Sequence, residues 1–247
     1  MNKLTSSPVA NAEPAPKAPV KTIVLVHGAF ADGSAWDAVT PILEAKGFHV
    51  VAVHEPLTSL ADDVAATKRA IEAQPGKVLL VGHSYGGVVI TEAGNGDKVA
   101  GLVYVAAFAP DNGESVNDLG KGSPPPSWVT KLIVTDGFLS LPTEVVASDF
   151  AQDLSAAETR LLATKQGPIA ARCFDDKVTT AAWHVKPSWY LQTDLDHMIA
   201  PAAQAFMAKR IGAKVTTIKA SHVPMVAKPK DVANAILAAA GASGGSS

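Results

Sequence analysis

From Thr22 onward, short apolar runs alternate with longer stretches in which apolar residues recur at helical spacing. TIVLV (22–26) is β-branched and unbroken by polar residues, as expected of a strand buried on both faces. SAWDAVTPILEAKG (34–47) sets Trp36, Val39, Ile42 and Leu43 on one helical face and ends on Gly47, a stop signal. FHVVAV (48–53) predicts a second strand. SLADDVAATKRAIEAQPG (59–76) predicts a helix with Ser59 as N-cap and Asp62 and Asp63 near the positive end of its dipole. KVLLVG (77–82) is a third strand, GVVITEAGNG (87–96) a helix, and VAGLVYVAA (99–107) a fourth strand. Regularity lapses over 111–187, which holds GKGSPPPSW, several amphipathic pieces and Gly/Pro breaks. The alternation then resumes: SWYLQT (188–193) as strand, PAAQAFMAKRIG (201–212) as helix, AKVTTIK (213–219) as strand and KPKDVANAILAAAG (228–241) as closing helix.

Strands alternating with helices imply an α/β protein with a doubly wound, mostly parallel sheet. The irregular stretch reads as an insertion. Sites in such sheets sit at the carboxyl ends of the strands, so an insertion leaving that edge would form a lid. The expected organisation is one domain over 21–240, preceded by a disordered segment, 1–20, rich in Pro, Ala and Ser. A flexible tail, 241–247, is expected to follow it.

Composition narrows the function classes. With 247 residues and 47% hydrophobic content, the chain can fill a single full core. A net charge of -2 with both signs scattered argues against nucleic acid as partner. No apolar run reaches the roughly 18 residues of a membrane helix, so no membrane partner is expected. Cys173 is the single cysteine, which excludes an internal disulfide and a Cys-rich metal site. It fits a cytoplasmic location, with periplasm or secretion as the alternative. The sequence leaves a homodimer open.

Chemistry concentrates in VLLVGHSYGGVVI (78–90). Gly82-His83-Ser84-Tyr85-Gly86 fits G-x-S-x-G between a strand and a helix, which pushes a serine nucleophile out above the sheet edge. The bare pattern is weak, but its structural setting strengthens it. A serine hydroxyl needs a base, and the base needs an orienting carboxylate, in the chain order Ser, acid, His. His222, in KASHVPM between the last strand and the last helix, stands in the slot of the base. The acid should follow SWYLQT, where TDLDHMIAP offers Asp194 and Asp196; Asp111, past the fourth strand, is a third candidate. The Asp-x-Asp-His cluster has no further ligand group near it in sequence, so neither a metal nor another cofactor is expected. Two backbone N–H groups should face the oxyanion: that of Tyr85, and one from VHGAFADGSAW, with Ala29 preferred and Phe30 in reserve.

These stretches, together with LVYVAAFAP, QGPIAARCF, PSWYLQTDLDHMIAP and SHVPM, make residues 22–240 resemble the α/β-hydrolase superfamily. Within it the chain is similar to the small serine esterases related to plant methylesterases and hydroxynitrile lyases. The resemblance implies a six-stranded α/β-hydrolase sheet with a helical lid over about 111–186. It also implies a triad of Ser84, His222 and Asp196, with the amides of Ala29 and Tyr85 as oxyanion hole. Lyases of this branch carry Thr directly after the first His and Lys directly after the catalytic His. Here those positions are Gly28 and Val223, which favours ester cleavage through an acyl-enzyme. The expected partner is a small-molecule ester, apolar or aromatic, in a pocket drawn from Phe30, Phe108, Trp128 and Trp183, with Leu132, Leu141 and Trp189 as further lining candidates. A lyase, a C–C bond hydrolase or a low-turnover small-molecule receptor on the same scaffold remains the alternative.

Overall fold

A computed structural model describes residues 20–122 and 124–243. In chain order the strands are β1 (Thr22–Val26), β2 (His49–Ala52), β3 (Val78–His83), β4 (Val99–Val105), β5 (Ile133–Thr135), β6 (Phe138–Ser140), β7 (Ile169–Ala170), β8 (Ser188–Thr193) and β9 (Lys214–Ile218). Six of them form one parallel sheet in the order β2-β1-β3-β4-β8-β9. Every residue of β1 and β3 is buried, because helices cover both faces of the centre of the sheet. The edge strands are more accessible: β2 is mostly half-buried, and β9, with its Lys and two Thr, is mostly exposed.

The order reverses at β1, which pairs with β2 on one side and β3 on the other. The connections leave in opposite directions there and open a crevice at the carboxyl ends of β1 and β3. The loop after β1 and the turn after β3 therefore meet, although they lie more than fifty residues apart in the chain.

One predicted helix is broken. Over 34–47 the chain forms a 3-10 turn at Gly33–Trp36, capped by Asp32, and then a separate helix at Thr40–Glu44. Pro41 sits in the first turn of that helix; it lacks the N–H that would continue a helical ladder from the preceding turn. The apolar face survives the break, with Trp36, Val39 and Leu43 fully buried. Ser59 caps the helix Leu60–Glu72 as expected, its hydroxyl accepting from the Asp62 N–H at 3.1 Å.

The chain between β4 and β8 is not purely helical, as the resemblance implied. It also builds a three-stranded antiparallel sheet, β5-β6-β7. Its hairpin turns at Asp136-Gly137, both with positive φ (49° and 80°), the Asp-Gly pair that a tight two-residue turn favours. The expected termini need correction as well. Val20 is buried against the core, and the last helix runs through Ser243, which is also buried, so 241–243 are not a tail. Residues 1–19 and 244–247, where the rest of those expectations fall, lie outside the described residues.

The turn by which the insertion departs is pinned from below by β8. Tyr190 donates its hydroxyl to the Ala107 carbonyl at 2.5 Å and accepts from the Ala107 N–H at 3.2 Å. Both partners are buried, so Tyr190→Phe is expected to leave two backbone groups unpaired and to lower unfolding free energy by about 2–3 kcal/mol in a urea melt. A variant as stable as the parent would show that this turn is held by other contacts.

Candidate active site

Ser84 follows β3 directly and has φ of +52°, a conformation that strains a residue with a side chain by on the order of 1–3 kcal/mol. The helix Gly86–Ala93 begins two residues later. Its flanking glycines are required by crowding. A Cβ at Gly82 would stand 2.5 Å from the Gly86 carbonyl oxygen, and one at Gly86 would collide with the His27 carbonyl. A Cβ at Gly28 would lie 2.7 Å from that of Ser84. Backbone from β1, backbone from β3 and the start of the helix are packed so closely that Cβ atoms are excluded at three points.

His222 reaches this turn from the segment after β9. Its Nε2 lies 2.8 Å from Ser84 Oγ, and its Nδ1 lies 2.7 Å from Asp196 Oδ2. A carboxylate only accepts, so Nδ1 carries the proton and Nε2 is left to accept from the serine hydroxyl. Asp196 Oδ1 takes the N–H groups of Met198 and Ile199 at 2.7 and 2.9 Å. Its Oδ2 takes Gln204 Nε2 at 2.8 Å and Thr193 Oγ at 3.2 Å besides His222. Asp194 is exposed and Asp111 is engaged with His184 at 2.7 Å, so of the three acid candidates only Asp196 touches the imidazole. All three members of the constellation are buried, with His222 only 1% exposed.

Several buried groups that sequence reasoning passed over surround it. His83 directs Nε2 at the His222 carbonyl, 2.7 Å away, and therefore donates there. Burial holds its pKa well below the usual histidine range, so it is neutral. Its Nδ1 has no partner among the described residues. His27, also kept neutral by burial, donates Nδ1–H to the Gly28 carbonyl at 2.9 Å and fixes the loop that carries Ala29. Phe30 in that loop has φ of +60°. The Tyr85 hydroxyl donates to Asp63 at 3.0 Å, and the other Asp63 oxygen accepts from the Leu57 N–H at 2.8 Å. Glu55 lies nearby, fully buried; burial and then the charge of Asp63 push its carboxyl well above the ordinary range. Burial pushes the Cys173 thiol up to about 12, which makes it a poor nucleophile.

The pocket candidates divide. Phe30 stacks on Phe174 with ring centroids 6.5 Å apart, and Phe174 lies 6.1 Å from the Tyr85 ring. Phe108 donates its N–H to the Ser84 carbonyl at 3.1 Å. Trp128 is half-buried in the insertion, its indole nitrogen without a partner among the described residues. Trp183 is engaged elsewhere: its indole N–H donates to the Pro110 carbonyl at 2.8 Å and its ring lies on His184, itself exposed. Trp189 projects from β8 beside Gly101, with the Lys214 ammonium 5.7 Å from its ring centre, in a groove on the sheet. Leu141 is core, and Leu132 packs partly buried against the core. Phe150 and Phe174 were not singled out from the sequence; the Phe150 ring centroid lies 5.4 Å from that of His222, and Phe174 packs on Tyr85 next to Ser84. A larger groove, about 520 Å³, lies beside Leu195 and Lys219 and includes none of Ser84, His222 and Asp196. Among the described residues no three His, Cys, Asp or Glu side chains cluster to hold a metal ion, and no helix is long and apolar enough to cross a membrane.

The six-stranded parallel sheet with a serine at the strand–helix turn after β3 agrees with what sequence comparison finds. The sequence model described as the alpha/beta hydrolase family matches residues 23–235, and the chain belongs to that family. It is 26% identical to a pyrethroid hydrolase of Sphingobium wenxiniae over 88% of this chain and 86% of that protein. It is 25% identical to methylesterase 8 of Arabidopsis thaliana, over 88% of each. Among solved structures, a pyrethroid hydrolase from Sphingobium faniae superposes with a TM-score of 0.79 at 24% identity, over 90% of this chain and 98% of that one.

Asp63 gives the site's surroundings a pH signature. Burial pushes its carboxyl up to about 6 from an ordinary 3.8. The folded state therefore holds the proton more tightly than the unfolded chain. The resulting stability is complete below about 3.8 and is lost as pH rises through about 6. Thermal melts of wild type and Asp63→Asn between these limits are expected to diverge, the variant losing less stability as pH rises. Parallel curves would show that Asp63 titrates as it does in the unfolded chain.

Proposed function

We propose that this chain is a serine hydrolase that cleaves small carboxylic esters through an acyl-enzyme. The observation that carries the reading is the unbroken hydrogen-bond line from Ser84 Oγ through His222 to Asp196, with spacings of 2.8 and 2.7 Å. In this reading His222 Nε2 removes the proton as Ser84 Oγ attacks the ester carbonyl, and Asp196 fixes the tautomer and steadies the imidazolium. The amides of Ala29 and Tyr85 receive the tetrahedral oxyanion, helped by the positive end of the helix Gly86–Ala93. His222 then hands the proton to the leaving alkoxide. Water, deprotonated by the same imidazole, releases the acyl group.

Substrate choice follows from the surroundings. Phe30, Phe150 and Phe174 supply apolar side chains around the constellation, and burial keeps the His27 and His83 imidazoles neutral. That environment suits an uncharged apolar or aromatic ester. The insertion acts as the lid. The names of relatives, a pyrethroid hydrolase and a methylesterase, are consistent with ester chemistry. Gly28, with no β-branched side chain, leaves the oxyanion position uncrowded, and Val223 supplies no cation beside His222 for a departing anion.

A panel of p-nitrophenyl esters of increasing acyl length, run beside Ser84→Ala, tests the proposal. The wild type is expected to turn over the short esters repeatedly, and the variant to lose at least about a thousandfold in kcat. Undiminished turnover by Ser84→Ala would overturn the mechanism.

A further inference from the structure

One stretch of the insertion touches both loops that carry the base and the acid. Val146–Phe150 is a π-helical turn, closed by the Ala151 N–H donating to the Val146 carbonyl at 2.9 Å. Such turns widen a helix by one residue and re-aim the side chains that follow. Here Phe150 is buried with its ring centroid 5.4 Å from that of His222, tilted by 59°. Gln152 Nε2 donates to the Leu195 carbonyl at 2.5 Å, one residue before Asp196. Asp153 Oδ2 accepts from the Ser221 N–H at 2.8 Å, one residue before His222. The Ser148 carbonyl meets His197 Nδ1 at 3.1 Å, one residue after Asp196.

We propose that Phe150, Gln152 and Asp153 are positioning residues for the His222 and Asp196 loops, so that the insertion holds the general base in register. The inference rests on the esterase reading above. The backbone is anchored before and after the His222 Cα: the Ser221 N–H, in the Ala220–Ser221 peptide, by Asp153 and the His222 carbonyl by His83. The first anchor comes from the insertion and the second from the residue next to the nucleophile. Releasing the first leaves a buried N–H without an acceptor and lets the Ala220–Ser221 peptide rotate, loosening the backbone that leads into His222. Phe150 closes one face of the ring against water and against a swing away from Ser84 Oγ. The insertion thus has two parts. The 146–153 stretch belongs to the catalytic frame, and movements that admit substrate fall to the remainder, which includes the exposed β5 strand.

Asp153 is itself exposed, so its replacement removes no core packing, and its cost to folding is confined to the one unpaired Ser221 N–H. The test measures kcat and KM on a short p-nitrophenyl ester for Asp153→Ala, Asp153→Asn and Gln152→Ala, with Ser84→Ala alongside and active sites counted by a p-nitrophenyl phosphonate. Proton NMR of the His222 Nδ1–H, expected far downfield, accompanies the kinetics. Asp153→Ala is expected to lose about tenfold in kcat per titrated site, with KM within about twofold, and to broaden the Nδ1–H signal. Asp153→Asn keeps an acceptor oxygen and is expected to recover to within about threefold of wild type. Gln152→Ala is expected to lose less than Asp153→Ala, in the same parameter. Unchanged kcat per site in Asp153→Ala, an equal loss in its Asn variant, or an unaltered Nδ1–H signal would overturn the positioning role. If Ser84→Ala were instead as active as wild type, the esterase reading would fail, and the NMR signal alone would still decide the inference.

Discussion

The close approach of three backbones at the carboxyl ends of β1 and β3 is the constraint on which the rest depends. Gly28, Gly82 and Gly86 each occupy a place where a Cβ would press on a neighbour's backbone or on Ser84. That contact forces Ser84 to φ of +52° and lifts its hydroxyl off the sheet edge. It also brings the Ala29 loop alongside the start of the helix Gly86–Ala93. Burial of β1 and β3 on both faces, and the reversal of strand order between them, supply the packing that sustains the strain.

Around that turn the polar groups are buried, and most are paired; His83 Nδ1 and both Glu55 oxygens have no hydrogen-bond partner among the described residues. Asp196 receives five donors, which fixes its orientation independently of His222. His83 and His27 are neutral because burial disfavours their charged forms, and each spends its N–H on a backbone carbonyl that shapes the site. The Tyr85 side chain is bound to Asp63 while its backbone faces the crevice, so one residue links the helix start to the capped helix Leu60–Glu72. Rigid donors set in advance are what a developing oxyanion requires, since no reorganisation is then needed as charge appears.

Much of this was visible in the chain before any coordinates. The central strands announce themselves as unbroken β-branched runs, and G-x-S-x-G between a strand and a helix marks Ser84. Other features have no local signal. Asp194 and Asp196 are separated in the sequence only by the family resemblance; in the fold, the turn that places the Met198 and Ile199 amides on Asp196 and the contact with His222 separate them. Trp183 and Trp189 look like pocket residues until their partners, Pro110 and Gly101, more than seventy residues away, come into contact. Asp63 reads as a helix-dipole residue, and Asp153 and Phe150 carry no signal of their own. Their bonds to Tyr85 and Ser221 and the packing on His222 arise from tertiary structure alone. The break in the 34–47 helix is different, because Pro41 is a local signal for it.

Under the proposed function Ser84, 2.8 Å from His222 Nε2, is the activated nucleophile. Treatment with diethyl p-nitrophenyl phosphate, followed by peptide mass spectrometry, tests it most directly. The account predicts one diethylphosphoryl group per chain, carried on Ser84 and abolished by His222→Ala. An unmodified Ser84 peptide, or stoichiometric modification at another residue, would contradict it.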